Sequence, residues 1–190
     1  MKRCAVCFAL ACALAGALAG PARALTPTEL QALLKSAPAA RELAFDEVRE
    51  SPWLGTPLTS RGTMHADGQQ LEKRITHPRV ETWRLLPDRI EWVGTDASQV
   101  REIRLADAPA LAALADTLRH VVAGDLLALE RDFRLELSGD ALAWTLRLQP
   151  LPTSAARPID YLELQGARGR LQQIVLVERQ GERTTTRITP

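Results

Sequence analysis

The chain has 190 residues, with 24 Lys and Arg against 23 Asp and Glu and a formal net charge of +1. A 46% share of hydrophobic residues is enough for a full core. The near-even charge balance leaves no electrostatic footprint for nucleic acid. The first 24 residues read as a secretory leader: Met1-Lys2-Arg3, an apolar run from Ala5 to Ala19, and the cleavage pattern Ala22-Arg23-Ala24. The run is short of the roughly 20 residues that a spanning helix needs. Cys12 follows Ala9-Leu10-Ala11 and lacks the setting of a lipidated cysteine, so cleavage after Ala24 and a soluble secreted chain are expected. Cys4, Cys7 and Cys12 all fall in the leader, so the remainder has no disulfide, thiolate nucleophile or Cys-bound zinc. The leader also removes Lys2, Arg3 and Arg23, leaving 21 basic residues against 23 acidic and a net charge of about −2.

The processed chain opens with Thr26-Pro27-Thr28-Glu29, a capping box with proline at the first helical position. Leu30, Leu33 and Leu34 follow as an apolar stripe, and Pro38 ends the predicted helix. It either packs on a sheet or acts as a lid over one. Leu43 to Glu50 alternates as a first strand. The loop from Ser51 to Pro57 carries Trp53, which reads as a satellite core residue or part of a cavity rim.

Two hairpins occupy Ser60 to Val93. Asp67-Gly68 is a type I′ turn signal, which predicts Met64 opposite Leu71 and Gly62 opposite Lys73. Leu86-Pro87-Asp88-Arg89 predicts Trp83 opposite Trp92 and Leu85 opposite Ile90. Side chains alternate across a strand, so those four share an apolar face, while Thr82, Arg84 and Glu91 lie on the other. On the preceding strand His77 shares the inner face with Leu71 and Ile75. Val100 to Leu105 is the next strand.

Asp107-Ala108-Pro109 starts a second helix with Leu111, Leu114, Leu118, Val121 and Val122 at helical spacing and Gly124 just past its end. Asp116, Thr117 and Arg119 mark its polar side. Asp125 to Leu129 prolongs it or forms a separate turn. Phe133 to Leu148 is a hairpin, and Gly139-Asp140 as a two-residue loop predicts Leu137 opposite Leu142, Leu135 opposite Trp144 and Phe133 opposite Leu146. Pro150 to Pro158 is a Pro- and Ser-rich connection, read as a mobile loop. Ile159 to Leu164 and Leu171 to Val177 pair around Gly166-Ala167-Arg168-Gly169 in a register the residues leave open. Gln180-Gly181 turns into a last strand, Glu182 to Ile188.

Nine or ten strands and two or three helices are therefore expected in one domain, residues 25–190. Tight turns between successive strands and the lack of βαβ alternation predict a mainly β (α+β) fold built on an antiparallel sheet. So long a sheet must curl, split or close. The few helices most economically cover its concave apolar face. That face is filled by side chains, closed by helices, or occupied by a ligand, because exposing it to water is unfavourable.

Nothing in the pattern points to catalysis. His65, His77 and His120 stand in no triad or metal-ligand spacing, no phosphate loop occurs, and no carboxylate pair stands out. No metal or cofactor is expected.

The order of elements, with Gly62-Thr63-Met64 and then Pro78 followed five residues later by Trp83, resembles the periplasmic outer-membrane lipoprotein carriers, the LolA-like family. The resemblance runs from Leu43 to Ile188. That family's pattern is Gly-x-Leu and then Arg-Pro with a Trp; here His77 stands where the Arg would be, and the segment between is longer. The resemblance implies an unclosed β-barrel whose apolar concave face is covered by helices and takes acyl chains. It also implies a monomeric periplasmic carrier of a lipid or acylated cargo, with transient protein partners at the inner and outer membranes. The departures resemble a divergent branch, such as the LolA-like proteins encoded beside acyltransferase and fatty-acid-type synthesis genes, whose cargo would be another acylated lipid.

Residues expected to line the cavity are Met64, Leu71, Ile75, Trp83, Leu85, Ile90 and Trp92 from the sheet and Leu111, Leu114 and Leu118 from the covering helix. His77 is a candidate lid contact. Phe133, Leu135, Trp144 and Leu146 are on the inner face and belong either to the cavity or to packed core. The rival readings are a protein-interaction or assembly module with a filled core and a lipid-modifying enzyme with a polar cluster deep in the cavity.

Overall fold

The computed structural model describes residues 24–36, 42–67, 70–96, 98–152 and 158–189. The alternating stretches become eleven strands: β1 (Leu43–Glu50), β2 (Leu58–Asp67), β3 (Gln70–His77), β4 (Glu81–Leu85), β5 (Arg89–Val93), β6 (Val100–Arg104), β7 (Phe133–Gly139), β8 (Trp144–Pro150), β9 (Ile159–Ala167), β10 (Arg170–Glu178) and β11 (Arg183–Thr189). Helix α1 (Pro27–Ser36) precedes them. Helices α2 (Pro109–Val122) and α3 (Leu126–Leu129) stand between β6 and β7. Eleven strands exceed the nine or ten expected.

The sheet runs β6-β5-β4-β3-β2-β1-β11-β10-β9-β8-β7, antiparallel throughout. Two meanders, β1 to β6 and β7 to β11, are joined by the long-range pairing of β1 with β11. The sheet curls without closing: β6 and β7 are its two edges. They are also consecutive strands in the chain, so the connection between them must cross from edge to edge. That connection is α2 and α3, which explains why the helices lie against the concave face.

The capping box of α1 forms as the sequence predicts. Thr26 N donates to Glu29 Oε2 at 2.9 Å, and Glu29 N donates to Thr26 Oγ1 at 3.2 Å. The asserted Trp83–Trp92 and Leu85–Ile90 pairs are both present. Two other registers differ. Asp67 pairs with Gln70, so it is a strand residue rather than the first turn residue, and Met64 faces Lys73 instead of Leu71. The two intervening residues, 68 and 69, lie outside the described set. Gly139 pairs with Trp144, so the loop of that hairpin is 140–143 and not Gly139-Asp140. Leu137 therefore faces Leu146, Leu135 faces Leu148 and Phe133 faces Pro150. Asp140 Oδ1 accepts from Leu142 N at 2.8 Å and Ala143 N at 3.1 Å, so the side chain builds the wider loop. Leu142, expected inside, is 61% exposed. Both slips are by an even number of residues, so the inner and outer faces stay as read up to Ile75; beyond it the register shift puts His77 opposite Arg61 and exposed, not on the inner face expected for it.

The open β9–β10 register is settled by a two-residue turn, Arg168-Gly169, with φ of 50° and 75°. Both positive angles fit a type I′ loop. The expected mobile loop falls partly outside the described residues, and Pro150 itself ends β8. Val100 to Arg104 is exposed along its whole length, and Leu105 is buried in a 3-10 turn that follows.

The core is in two parts. The larger packs Leu30 of α1, Val121 of α2, and Leu126 and Leu129 of α3 against Phe133, Trp144, Leu146, Leu148, Ile159, Leu162 and Leu164. The smaller packs Ala115 of α2 against Leu85 and Leu105, with Leu71, Ile90, Leu111, Ala112 and Leu118 around them. One end of the curled sheet is filled. Over the other, only α2 stands.

Candidate functional site

The β3–β5 end of the concave face is where space remains. A cavity of about 170 Å³ lies between α2 and the sheet. Leu71, Trp83, Leu85 and Ile90 form its floor, and Leu111, Leu114 and Leu118 its roof. A second hollow of about 300 Å³ continues from it toward the β6 edge, sharing Trp83 and Ile90 and adding Trp92, Arg101 and Ile103. Both hollows are open to solvent. The two indoles meet at 6.5 Å between centroids, tilted by 59°. They are held by one carboxylate: Trp92 Nε1 donates to Glu81 Oε2 at 2.8 Å and Trp83 Nε1 to Glu81 Oε1 at 3.3 Å. The Arg101 guanidinium lies 5.4 Å from the Trp92 ring.

Eight of the ten expected lining residues thus meet around these hollows. The other two stand apart: Ile75 is buried on β3 opposite Gly62, and Met64 is half-buried opposite Lys73. Phe133, Trp144 and Leu146 are fully packed and Leu135 packs against them, so all four belong to the filled end. Trp53 is 77% exposed on its loop and is no part of a core.

A profile of the outer membrane lipoprotein carrier protein LolA-like family matches residues 19–189. The chain belongs to that family. Among solved structures it is similar to a LolA superfamily protein from Nitrosomonas europaea, at 12% identity, with 88% of this chain and 93% of that one covered and a TM-score of 0.45. It is also similar to a DUF1329 family protein from Desulfovibrio piger, at 11% identity, 86% and 90% coverage and a TM-score of 0.45. A putative outer membrane lipoprotein-sorting protein domain from Vibrio parahaemolyticus shares 7% identity, with 86% and 89% coverage and a TM-score of 0.42. No curated protein matches significantly.

The family pattern can now be placed. Gly62 sits at the bulge where β2 shifts register against β3. A Cβ there would overlap the carbonyl oxygen of Arg74, so the close approach of the two backbones demands glycine. His77 stands exposed at the end of β3, opposite Arg61, before a cis peptide bond to Pro78. Among the described residues no hydrogen bond or ion pair joins His77 to a helix.

The tether of α2 is a residue that the sequence reading placed on the solvent side. Arg119 donates through Nη2 to the backbone oxygen of Leu86, in the β4–β5 turn, and through Nη1 to Asp116 at 2.8 Å. Its Nε is buried without a partner. Thr117, also assigned to the polar side, is 1% exposed, its hydroxyl donating to Ala113 O at 2.8 Å. Conversely Val122, assigned to the apolar stripe, is exposed. The buried face of α2 is rotated from the leucine stripe because the helix is gripped between two packed regions rather than laid on one.

A polar cluster on the concave face also escaped the sequence. Glu47 of β1 accepts from Lys73 Nζ at 2.6 Å on each oxygen, from Thr186 Oγ1 at 2.7 Å and from Ser60 Oγ at 3.4 Å. Nothing local in the sequence shows that Glu47 and Lys73, on non-adjacent strands, meet. Among the described residues no group of three or more His, Asp and Glu could hold a metal ion. His120 Nδ1 lies 3.5 Å from Asp125, while His65 and His77 are exposed on the sheet.

Proposed function

We propose that this chain is a periplasmic carrier for a lipid or an acylated molecule, a lipoprotein or related acyl lipid, held in the hollow between α2 and β3–β5 and passed toward the outer membrane. Its first 24 residues act as a cleaved leader and the remainder as a single domain. The observation that carries this reading is the apolar cavity under α2, left open in a fold whose other end holds the larger packed core. Acyl chains suit it because apolar burial needs no directional partners. Release follows from movement of α2, whose hold on the sheet includes one side-chain hydrogen bond from Arg119, and a better acceptor draws the equilibrium. Membership of a family named for lipoprotein carriers supports the same reading. Partner proteins at both membranes would load and unload the cargo.

The test is native mass spectrometry of the protein purified from its own periplasm, with lipid extraction and a Trp83→Asp variant beside it. An acyl species near one per chain is expected, lost in the variant. Trp83 is 39% exposed, so the substitution leaves the cores intact. An apo mass for the unaltered protein, with no uptake of fluorescent acyl probes, would favour a protein-interaction module instead.

A further inference from the structure

The concave face of a pure hydrocarbon binder has no use for charge, yet Lys73 and Glu47 face inward there. Lys73 is part of the cavity wall. The side chains keep only 26% and 15% of their exposure. Lys73 is on β3 and Glu47 on β1, so the lysine must cross β2 to reach it. Gly62, with no side chain, stands between Phe45 and Ile75 in that row and leaves the path clear. The ammonium comes to rest 4.8 Å from the Phe45 ring centroid. An inward ion pair of this kind is seldom worth more to stability than apolar packing would be.

An ammonium has three N–H donors. Two are used by the two oxygens of Glu47. The third has no acceptor oxygen among the described residues, and Lys73 borders the cavity. At the Lys73 end of the cavity the charges are paired, Lys73 with Glu47 and the nearby Arg84 with Glu72 and Glu91, while Arg101 lies in the second hollow against Trp92. A buried anion would therefore enter without a net counter-charge and lose its hydration. An uncharged carbonyl would take the free N–H and add no charge.

We propose that Lys73 holds the carbonyl oxygen of an uncharged acyl ester or amide, with its chain along Leu71, Leu85 and Leu118. This deepens the carrier reading and rests on it: the cargo class is narrowed to neutral acyl esters and amides, against free fatty acids and plain hydrocarbon.

The experiment is displacement of the uncharged fluorophore N-phenylnaphthylamine from the full-length processed protein by decane, decanoate and methyl decanoate. Methyl decanoate is expected to compete at about tenfold lower concentration than decane, the size of one hydrogen bond to a charged donor and opposite to their order of hydrophobicity. In the Lys73→Met/Glu47→Gln double variant, which removes both charges together, the ratio of ester to decane affinity falls below about twofold, and circular dichroism and urea unfolding report an intact fold. Glu47→Gln alone, which leaves Lys73 uncompensated, shifts preference toward decanoate by about tenfold. If the unaltered protein takes decane as well as the ester, or the double variant keeps the ester preference, the assignment of Lys73 is overturned and the cavity reading stands. If neither the fluorophore nor any of the three binds, the cavity reading itself fails, and this inference with it.

Discussion

Gly62 shows how much a single position can carry. Its missing side chain permits the close approach at the β2–β3 register shift and opens the path from Lys73 to Glu47. Gly62→Ala should cost about 2–3 kcal/mol, because a Cβ would press on the Arg74 carbonyl and the backbones would have to part. At Gly55 an added Cβ meets nothing within 4 Å, so Gly55→Ala should be near neutral. Urea unfolding of the two variants side by side measures the difference. At Glu182 the Arg49 guanidinium, hydrogen-bonded at 2.6 Å, holds the carboxyl below its ordinary value of 4.5, with Ser51 adding a smaller pull in the same direction. A depressed folded-state value stabilises above the unfolded one. The contribution is therefore fully present above about pH 4.5 and fades as pH falls through the lower folded value. Thermal melts should show the unaltered protein ahead of Glu182→Gln at neutral pH and the gap closing below that point.

Helix α2 is the element on which access depends. Its grip combines packing of Ala115 and Val121 with the Arg119 bond to Leu86 O. Arg119→Met keeps an apolar stem and removes the bond. Hydrogen exchange across Pro109–Val122 should speed up by about tenfold, and a fluorescent acyl probe should load faster, with the β7–β10 strands unaffected. Unchanged α2 exchange would show that packing alone holds the helix. Helix α1 differs in kind. Leu30 is fully buried in the larger core, and Gln31 Oε1 accepts from Leu127 N at 3.0 Å, so α1 is part of the closed end and not a lid.

At the scale of the molecule, one continuous sheet has two unequal ends. β7 to β10 lie under α1, α3 and the end of α2, whose Leu30, Leu126, Leu129 and Val121 pack against them. β4 to β6 carry exposed Trp83, Val100 and Ile103 and are covered only in part. Such a sheet should open unevenly. Native-state exchange should find β8 and β9 amides opening only with global unfolding, and β5 and β6 amides through smaller openings. Equal protection at both ends would mean that the open side is as tightly held as the core. Binding of an acyl ligand should raise protection on the β3–β5 side first.

The sequence by itself determined which face of β4, β5, β7 and β8 points inward, where α1 and α2 begin, and that strands joined by tight turns pair. These depend on alternation, helical spacing and caps, all of which are local. It also singled out Trp83, Leu85, Ile90 and Trp92 as one surface, because a short turn fixes their pairing. The tertiary structure alone decided which apolar residues pack and which leave a hollow. Leu146 and Leu85 look alike in the pattern, yet one lies beneath three helices and the other beneath one. It alone brought Glu47, Lys73 and Thr186 together, since β1, β3 and β11 meet through pairings that span most of the chain. And it alone turned Arg119 inward, because the side of a helix that is buried depends on what surrounds it, and the chain written out in order does not contain those neighbours.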